Sequence, residues 1–399
     1  MTDPVLFVSR ILKLPLLGAD GETIGRIDDL VLGPPMRGGA PVLLGLVASV
    51  SRRPIFVAAA RVAEIGVPGV RLRSDALDVR PFQGRPAELV VSRLLDRPHG
   101  EDRVVDIGLV ATAGLAGAWE VTTVALGRPT HLRRPKAGRI VAWTEAAALF
   151  EMGEVGRDVA ALRGLHPSDM ARAVAQLPPD RRAQLAAALS DADLADLLEE
   201  LPEVDQARII SQLDIARSAR VLEEMEPDDA ADLLAELSRD DRLRLLEAML
   251  PEEADPLRRL LLFDDHSAGG LMTPEPLMMP PEATVAEALA RVRADDVPAA
   301  IATSVFVVEH PTQTPTGAYL GTVSFQRLLR EPPGAKLVDV ADGLPAPIAP
   351  DLAEIEVAAR LAAYDLLALP VCDEAGRLLG AVTVDDVLDR TLPSDWRAR

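Results

Sequence analysis

The chain has 399 residues, of which 48% are hydrophobic and only 3% aromatic, so it predicts several domains with cores of Leu, Val and Ala. The formal net charge is −20. Residues 1–150 carry 19 Lys+Arg against 15 Asp+Glu, and the remainder carries 23 against 47. Such an acidic half repels nucleic acid and attracts cations. The single cysteine, Cys372, excludes an intrachain disulfide and a thiolate metal cage, and it indicates a reducing, cytoplasmic setting.

One stretch, residues 107–126, is long enough to be tested as a membrane span. It contains Glu120, three Gly and three Thr, and it lacks a long Leu/Ile run. We therefore interpret it as two β-strands joined by a Gly turn. The N-terminus lacks the basic-then-apolar order of a signal peptide, and the end of the sequence, "DRTLPSDWRAR", adds no apolar segment. The sequence predicts no transmembrane segment.

Residues 5–90 read as short β-strands separated by turn signals, with a hairpin at 19–21. Residues 89–150 repeat this theme more loosely, from "LVVSRLLDRPHGEDRVVDIGLVA" to "IVAWTEAAAL". The pattern resembles the PRC-barrel family in two tandem copies, 1–88 and 89–150. The resemblance implies a docking module without catalytic residues. A plain small β-barrel is the alternative reading.

Residues 151–264 predict helical repeats. Prolines recur at 179, 202, 227 and 251, a period typical of one helical hairpin per repeat. Leucines between them keep the i, i+3, i+4, i+7 spacing of an amphipathic helix. Ser238 with Asp241 matches a capping box with Asp in the Glu position. Segments such as "MEPDDAADLLAEL" resemble the intracellular N domain of the MgtE magnesium transporters.

Residues 265–399 contain a second repeat, because "GTVSFQRLL" and "GAVTVDDVL" start 59 residues apart. Each copy reads as β-α-β-β-α, the order of a CBS domain. The run "VAARLAAYDLLALPVCDEAGRLLGAVTVDDVLD" resembles the CBS family most closely. The predicted fold is therefore multidomain, with β-barrel-like (PRC) repeats, an all-α superhelical repeat domain and an α/β tandem CBS pair.

The resemblance to CBS pairs implies binding of an adenine nucleotide such as ATP. The signature Gly, two hydrophobics, Ser/Thr, two residues, Asp falls on Gly380, Thr383 and Asp386. A hydroxyl and a carboxylate at that spacing can hydrogen-bond a ribose, next to a helix N-terminus that tolerates phosphate. Taken alone, the motif is more typical of a helix cap formed by Thr383 or Asp385, and the resemblance to a CBS pair reverses this preference. The first copy keeps Ser324 but has Arg327 in place of the Asp, which departs from the pattern.

The resemblance to MgtE implies Mg²⁺ held between the acidic N domain and the CBS domains. The candidate ligands are carboxylates on one helix and in the second CBS copy, namely Asp228, Asp229, Asp232, Asp365 and Asp373. Mg²⁺ keeps most of its waters and needs only one or two carboxylates from each surface. For each residue alone, a solvated acidic first turn that favours the helix dipole is the alternative.

No arrangement for bond chemistry is found: the five His residues are scattered, and no Gly-rich phosphate loop occurs in the right context. The sequence predicts a non-enzyme, a cytoplasmic sensor of Mg²⁺ and adenine nucleotide. It would dimerise through its CBS domains and dock on a partner such as a membrane transporter, at the membrane periphery. The alternative is a scaffold whose barrels bind a ribosomal, RNA or membrane-protein partner. Basic clusters without interleaved aromatics argue against nucleic acid.

Overall fold

The structure is a computed structural model that describes residues 5–392 except 34–38, 75–76, 78–79, 83, 86, 113–118, 129–137, 152, 164, 295–296 and 344–345. It divides into two compact units, residues 1–190 and 191–399. Each unit is described by itself. The boundaries expected at 88, 150 and 264 stay predictions.

The first unit is built on β-strands, most of them short. In chain order they are β1 (Leu6–Phe7), β2 (Pro15–Leu17), β3 (Thr23–Gly33), β4 (Val42–Val50), β5 (Arg53–Ala58), β6 (Val62–Gly66), β7 (Gly69–Leu72), β8 (Leu89–Val90), β9 (Pro98–His99), β10 (Asp102–Ala111), β11 (Trp119–Gly127) and β12 (Arg139–Ala142). Short helical segments are interspersed: α1 (Val8–Ile11) and 3₁₀ turns at Ala59–Arg61, Val91–Arg93 and Trp143–Phe150.

These twelve strands form one sheet, with the path β1-β10-β11-β4-β3-β2-β7-β6 and the remaining strands paired at its sides. The hairpin expected at 19–21 is confirmed, since β2 and β3 are antiparallel and Gly21 has a φ of +89°. The stretch 107–126 is confirmed as two antiparallel strands, β10 and β11. The Gly turn expected between them lies outside the described residues.

The sheet contains an internal duplication. The sequences "FVSRILKLP" at 7–15 and "VVSRLLDRP" at 90–98 occupy equivalent places. The start of the first copy pairs with the second copy, because β1 lies antiparallel to β10, and β8 at the start of the second copy lies antiparallel to β3. Each copy thus completes the sheet of the other. Both long strands carry a bulge at the same point, before Asp29 and before Asp106.

The exchange is fixed by two equivalent hydrogen bonds. The amide of Ser9 donates to Oδ1 of Asp106 at 3.0 Å, and the amide of Ser92 donates to Oδ1 of Asp29 at 3.0 Å. A single hydrophobic cluster spans both copies, from Val8 to Phe150. Burial of one continuous core favours folding of the two copies as one body. The identity of this unit as PRC-barrel stays a prediction.

The first unit continues into three helices, α2 (Gly153–Leu162), α3 (Pro167–Ala175) and α4 (Pro179–Ala188). His166 caps α3, since the amide of Ser168 donates to its Nδ1 at 3.4 Å. His166 is therefore a polar residue that starts a helix.

The second unit begins with helices of nine or ten residues each: α5 (Asp191–Glu199), α6 (Glu203–Gln212), α7 (Ile215–Glu224), α8 (Pro227–Glu236), α9 (Arg239–Ala248) and α10 (Pro251–Leu260). Pro227 and Pro251 are the first helical residues of α8 and α10, where a missing N–H costs no hydrogen bond. Ser238 caps α9 by accepting from the amide of Asp241 at 3.2 Å. The predicted helical region is confirmed.

Carboxylates of one helix cap the start of another helix in this unit. The amide of Glu226 donates to Oε1 of Glu199 at 2.7 Å, and the amide of Leu250 donates to Oε1 of Glu223 at 2.8 Å. The acceptor and donor are 27 residues apart in both cases. This repeated device places Glu199 beside the first turn of α8.

The rest of the unit is the CBS pair. The first copy has β13 (Met278–Met279), α12 (Val285–Val292), β14 (Ser304–Val308), β15 (Tyr319–Ser324) and α13 (Phe325–Leu328), preceded by α11 (Ala268–Leu271) and followed by α14 (Leu337–Val340). The second has α15 (Glu354–Ala363), β16 (Ala368–Cys372), β17 (Leu378–Thr383) and α16 (Val384–Thr391). The predicted β-α-β-β-α order is confirmed for the first copy. In the second, a parallel bridge from Ile348 to Val371 replaces the first strand.

Candidate functional site

The first turn of α8 carries a buried carboxylate, Asp228, one of whose oxygens has no hydrogen-bond partner in the described part of the chain. Asp228 is 8% exposed, and its Oδ1 lacks a partner among the described residues. An unpaired buried charge is costly, so such a group is either protonated or neutralised by a ligand. Burial raises the pKa of Asp228 well above its usual value, and Asp386 on α16 raises it further.

Helix α16 therefore faces α8 with like charge. The Asp386 carboxylate accepts from the amide of Thr383 at 2.8 Å, which lowers its pKa, but burial dominates and raises the pKa to about 7. On the other side, burial raises the pKa of Asp229, and Glu199, Glu226 and Asp386 add to the effect. Carboxylates from two domains thus meet at one place.

Helix α5 adds a further carboxylate to this group. Burial raises the pKa of Glu199 to about 7, against the hydrogen bond from the amide of Glu226, which lowers it. Burial also raises the pKa of Glu226, and Asp385 and Asp389 of α16 raise it further. We call the set on α5, α8 and α16 the acidic contact, comprising Glu199, Glu226, Asp228, Asp229, Asp232, Asp385, Asp386 and Asp389.

One member of the acidic contact is paired with a cation. Nη2 of Arg390 on α16 lies 2.5 Å from Oδ2 of Asp232 on α8. Burial raises the pKa of Asp232 to about 6, and Arg390 opposes this rise. Of the three candidates on α8, Asp232 is therefore already neutralised, whereas Asp228 and Asp229 face other carboxylates.

The other two candidate metal ligands lie elsewhere. Asp373 accepts from the amides of Ala375 and Arg377 within the β16–β17 turn and pairs with the Arg377 guanidinium at 2.7 Å. Slight burial raises the pKa of Asp373, but these hydrogen bonds and the Arg377 charge have the larger effect, so the pKa is lowered overall. Asp365 is exposed with a φ of 52° at the end of α15. No contact in the described part of the chain joins either residue to the acidic contact, and their metal role stays a prediction.

The residues of the predicted nucleotide signature make local contacts at the corner between β17 and α16. Asp386 and Thr383 form a capping box at the start of α16, and the Thr383 hydroxyl donates to Oδ1 of Asp385 at 2.5 Å. A side chain at Gly380 would lie 2.4 Å from the Thr273 carbonyl oxygen, so this glycine is required by backbone packing. The geometry thus includes the cap that the sequence offered as an alternative.

The first copy has the same corner with a different charge. Ser324 caps α13 by accepting from the amide of Arg327 at 3.2 Å. The Arg327 guanidinium pairs with Glu331 at 2.7 Å and is exposed. Both predicted residues are placed at the strand-to-helix corner, and their ligand role stays a prediction.

Sequence reasoning missed Glu199, Glu226, Asp385, Asp389 and Arg390 as parts of this arrangement. Arg390 could have been noticed, because it lies one helical turn after Asp386. The contact of α16 with α8 joins residues far apart in sequence, such as Arg390 and Asp232, which are 158 residues apart. No local pattern reports a contact of that separation.

The acidic contact fits hydrated Mg²⁺ better than a directly coordinated metal. Within the described ranges, no group of three or more His, Cys, Asp or Glu side chains is arranged to hold a metal ion directly. Mg²⁺ dehydrates reluctantly and is commonly bound through its waters, which needs carboxylates in excess but not at ligand distance. The unpartnered Asp228 oxygen is such an acceptor. No helix in the described part of the chain has the length and apolar character that a membrane crossing requires.

Comparison with known families agrees with this layout. Residues 165–266 match the family profile described as the MgtE intracellular N domain, and residues 345–392 match the CBS domain. The magnesium transporter MgtE of Thermus thermophilus is 35% identical over 130 residues, and that of Bacillus subtilis is 29% identical over 137 residues. Each alignment covers 33% of this chain and 28% of the relative. The chain thus spans about a quarter of the length of the curated relatives it matches.

Two solved structures cover most of the second unit and more. The cytosolic domain of the Mg²⁺ channel MgtE in complex with ATP is 29% identical with a TM-score of 0.52, covering 62% of this chain and 96% of that one. The soluble part of a magnesium transporter is 25% identical with a TM-score of 0.53, covering 60% and 92%. Both solved relatives are parts of magnesium transport proteins. The chain therefore contains a segment of the MgtE intracellular N domain family at 165–266, followed by a CBS domain at 345–392.

Proposed function

We propose that this chain is a magnesium sensor in which hydrated Mg²⁺ binds at the acidic contact and draws α8 and α16 together. The observation that supports this most directly is the buried, unpartnered Oδ1 of Asp228 opposite Asp386. A divalent cation would neutralise carboxylates that otherwise repel each other across two domains. Ligands that bind only the closed form stabilise it by a free energy that rises with the logarithm of the ratio of their concentration to Kd.

The residues of this site have different roles in the proposal. Asp228, Asp229 and Asp386 accept from the waters of the ion, while Glu199 and Glu226 add negative potential. Asp232 is held by Arg390 and contributes less. Asp373, which the sequence also suggested, is bonded within the β16–β17 turn, and Asp365 follows α15; neither is assigned to this site in the proposal.

We propose in addition that the CBS pair binds an adenine nucleotide. The support is the MgtE cytosolic domain solved with ATP and the Thr383–Asp386 corner at the start of α16. Since Asp386 also faces Asp228, the carboxylate is shared between the nucleotide corner and the acidic contact. Dimerisation through the CBS domains, a cytoplasmic location and docking on a magnesium transporter complete the proposal, by analogy with these relatives.

The experiment is unfolding of the EDTA-treated protein against MgCl₂, with ionic strength matched by NaCl, with and without ATP. We expect a saturable rise of Tm with Mg²⁺ beyond the NaCl control. The rise should be reduced in Asp228→Asn and Asp386→Asn. The rise of Tm with Mg²⁺ should be unchanged in Glu252→Gln, the control, which removes an exposed carboxylate in the first turn of α10.

Equal responses to Mg²⁺ and to NaCl would contradict metal binding. An ATP shift that appears in EDTA would support the nucleotide proposal independently of the metal. If neither ligand moves the transition and the N-terminal barrel captures a macromolecular partner, the scaffold alternative replaces the sensor.

A further inference from the structure

The acidic contact contains its own cation. The guanidinium of Arg390 on α16 lies 2.5 Å from the Asp232 carboxylate on α8, and the two side chains are only 22% and 27% exposed. Charge-assisted bonds of this kind are stronger than neutral ones, and partial burial reduces screening by salt. This pair therefore joins the helical domain to the second CBS copy by opposite charge.

Elsewhere α8 and α16 oppose each other. Asp386 raises the pKa of Asp228, and Asp385 and Asp389 raise that of Glu226, which is the signature of like charges across the contact. Without a bound ion, the balance between attraction and repulsion at this place depends on Arg390.

We propose that Arg390 is a built-in counter-cation that holds α8 against α16 in the absence of metal, so that closure is already partial before Mg²⁺ binds. This rests on the proposed function for the meaning of closure, but not for the pairing itself. Mg²⁺ then acts on the remaining carboxylates, Asp228, Asp229 and Asp386. The ion pair sets how much of the closure is left for the metal to supply.

The segment between the two domains makes the proposal testable. The amide of Ala268 donates to the Leu352 carbonyl at 2.7 Å, and that of Gly269 donates to the Pro350 carbonyl at 2.8 Å. Substitution of Arg390 leaves these backbone bonds in place. A change in the separation of α8 and α16 in such a variant therefore reports on the ion pair.

The experiment measures the distance between two spin labels, one on each domain of the full chain, by double electron–electron resonance. Nitroxides are attached at Glu247→Cys on α9 and Glu356→Cys on α15, both exposed, while the native Cys372 is buried. In EDTA we expect Arg390→Gln to lower the ratio of closed to open populations by about tenfold, the size of one charge-assisted bond of ordinary strength. Arg377→Gln is the matched control, because it removes an Arg–Asp pair within one hairpin of the same domain.

The reversal Asp232→Arg with Arg390→Asp keeps the total charge and should restore the metal-free closed population. An EDTA distance distribution that is unchanged in Arg390→Gln overturns the proposal, as does an equal shift in Arg377→Gln. The same distance measured with Mg²⁺ tests the proposed magnesium sensing separately. If Mg²⁺ closes neither the wild type nor Arg390→Gln, while Arg390→Gln still opens in EDTA, the counter-cation proposal is supported and the proposed magnesium sensing is contradicted.

Discussion

Replacement of Asp228 by Asn tests whether repulsion between carboxylates of the acidic contact destabilises the metal-free protein. The isosteric change removes the charge of a side chain that is 8% exposed and whose Oδ1 has no partner in the described structure. Leaving a buried polar atom unsatisfied costs about 1–3 kcal/mol, more when it is charged. Asn keeps the unpartnered oxygen but removes the buried charge that Asp386 repels. In EDTA at pH 8, we therefore expect Asp228→Asn to stabilise the second unit by about 1–3 kcal/mol, which raises Tm by roughly 2–10 °C for a unit of this size.

The sign of the pH dependence follows from the raised pKa values. Asp386 and Glu199 have a pKa of about 7 in the folded protein, against ordinary values of 3.8 and 4.5 for these side chains. The folded state therefore binds more protons than the unfolded state between these values. Metal-free stability is highest below about pH 4 from these groups and falls as the pH rises through about 7. The gain from Asp228→Asn should accordingly be larger at pH 8 than at pH 5.

The assay is thermal unfolding followed by circular dichroism at both pH values, in EDTA and in saturating MgCl₂ at equal ionic strength. Glu252→Gln corrects for the loss of a favourable charge at a helix N-terminus, worth about 0.3–1 kcal/mol. We expect Mg²⁺ to abolish the advantage of Asp228→Asn, since the wild type then has its charge neutralised. A loss of stability in EDTA at pH 8, or a gain that is the same at both pH values, would refute the reasoning.

Three further predictions concern packing and reactivity. Gly380→Ala should lower Tm by an amount equivalent to about 1–3 kcal/mol, because the new Cβ would lie 2.4 Å from a carbonyl oxygen, whereas Gly343→Ala, in open space, should leave Tm unchanged. Asp106→Ala should destabilise the first unit by about 1–2 kcal/mol and speed hydrogen exchange of the Ser9 amide, because the substitution removes the acceptor of that N–H. Slow hydrogen exchange at Ser9 in the variant would contradict the pairing of one copy with the other. Burial raises the pKa of the Cys372 thiol to about 12, so the folded protein should react with a thiol reagent only as fast as it unfolds, and rapid labelling in native buffer would argue against this packing.

Local patterns in the sequence were sufficient for the helices and for the order of elements. The prolines at 179 and 227 mark helix starts because a proline fixes φ and loses nothing at the first helical position. The turn at Gly21 required a positive φ that glycine adopts without strain. Resemblance identified the N domain and the CBS pair, and the family matches confirm the N domain and the second CBS copy.

The tertiary structure alone decided which charges meet. Asp386, expected at a ribose, faces Asp228, expected at a metal, and Arg390 neutralises Asp232 from the far end of the chain. The exchange of β1 and β8 between the two copies could not be predicted from the sequence either. The similar segments "FVSRILKLP" and "VVSRLLDRP" indicate only that the unit is duplicated. Helix and turn signals arise from interactions over three or four residues, whereas burial and repulsion of these carboxylates depend on elements that only the folded chain brings together.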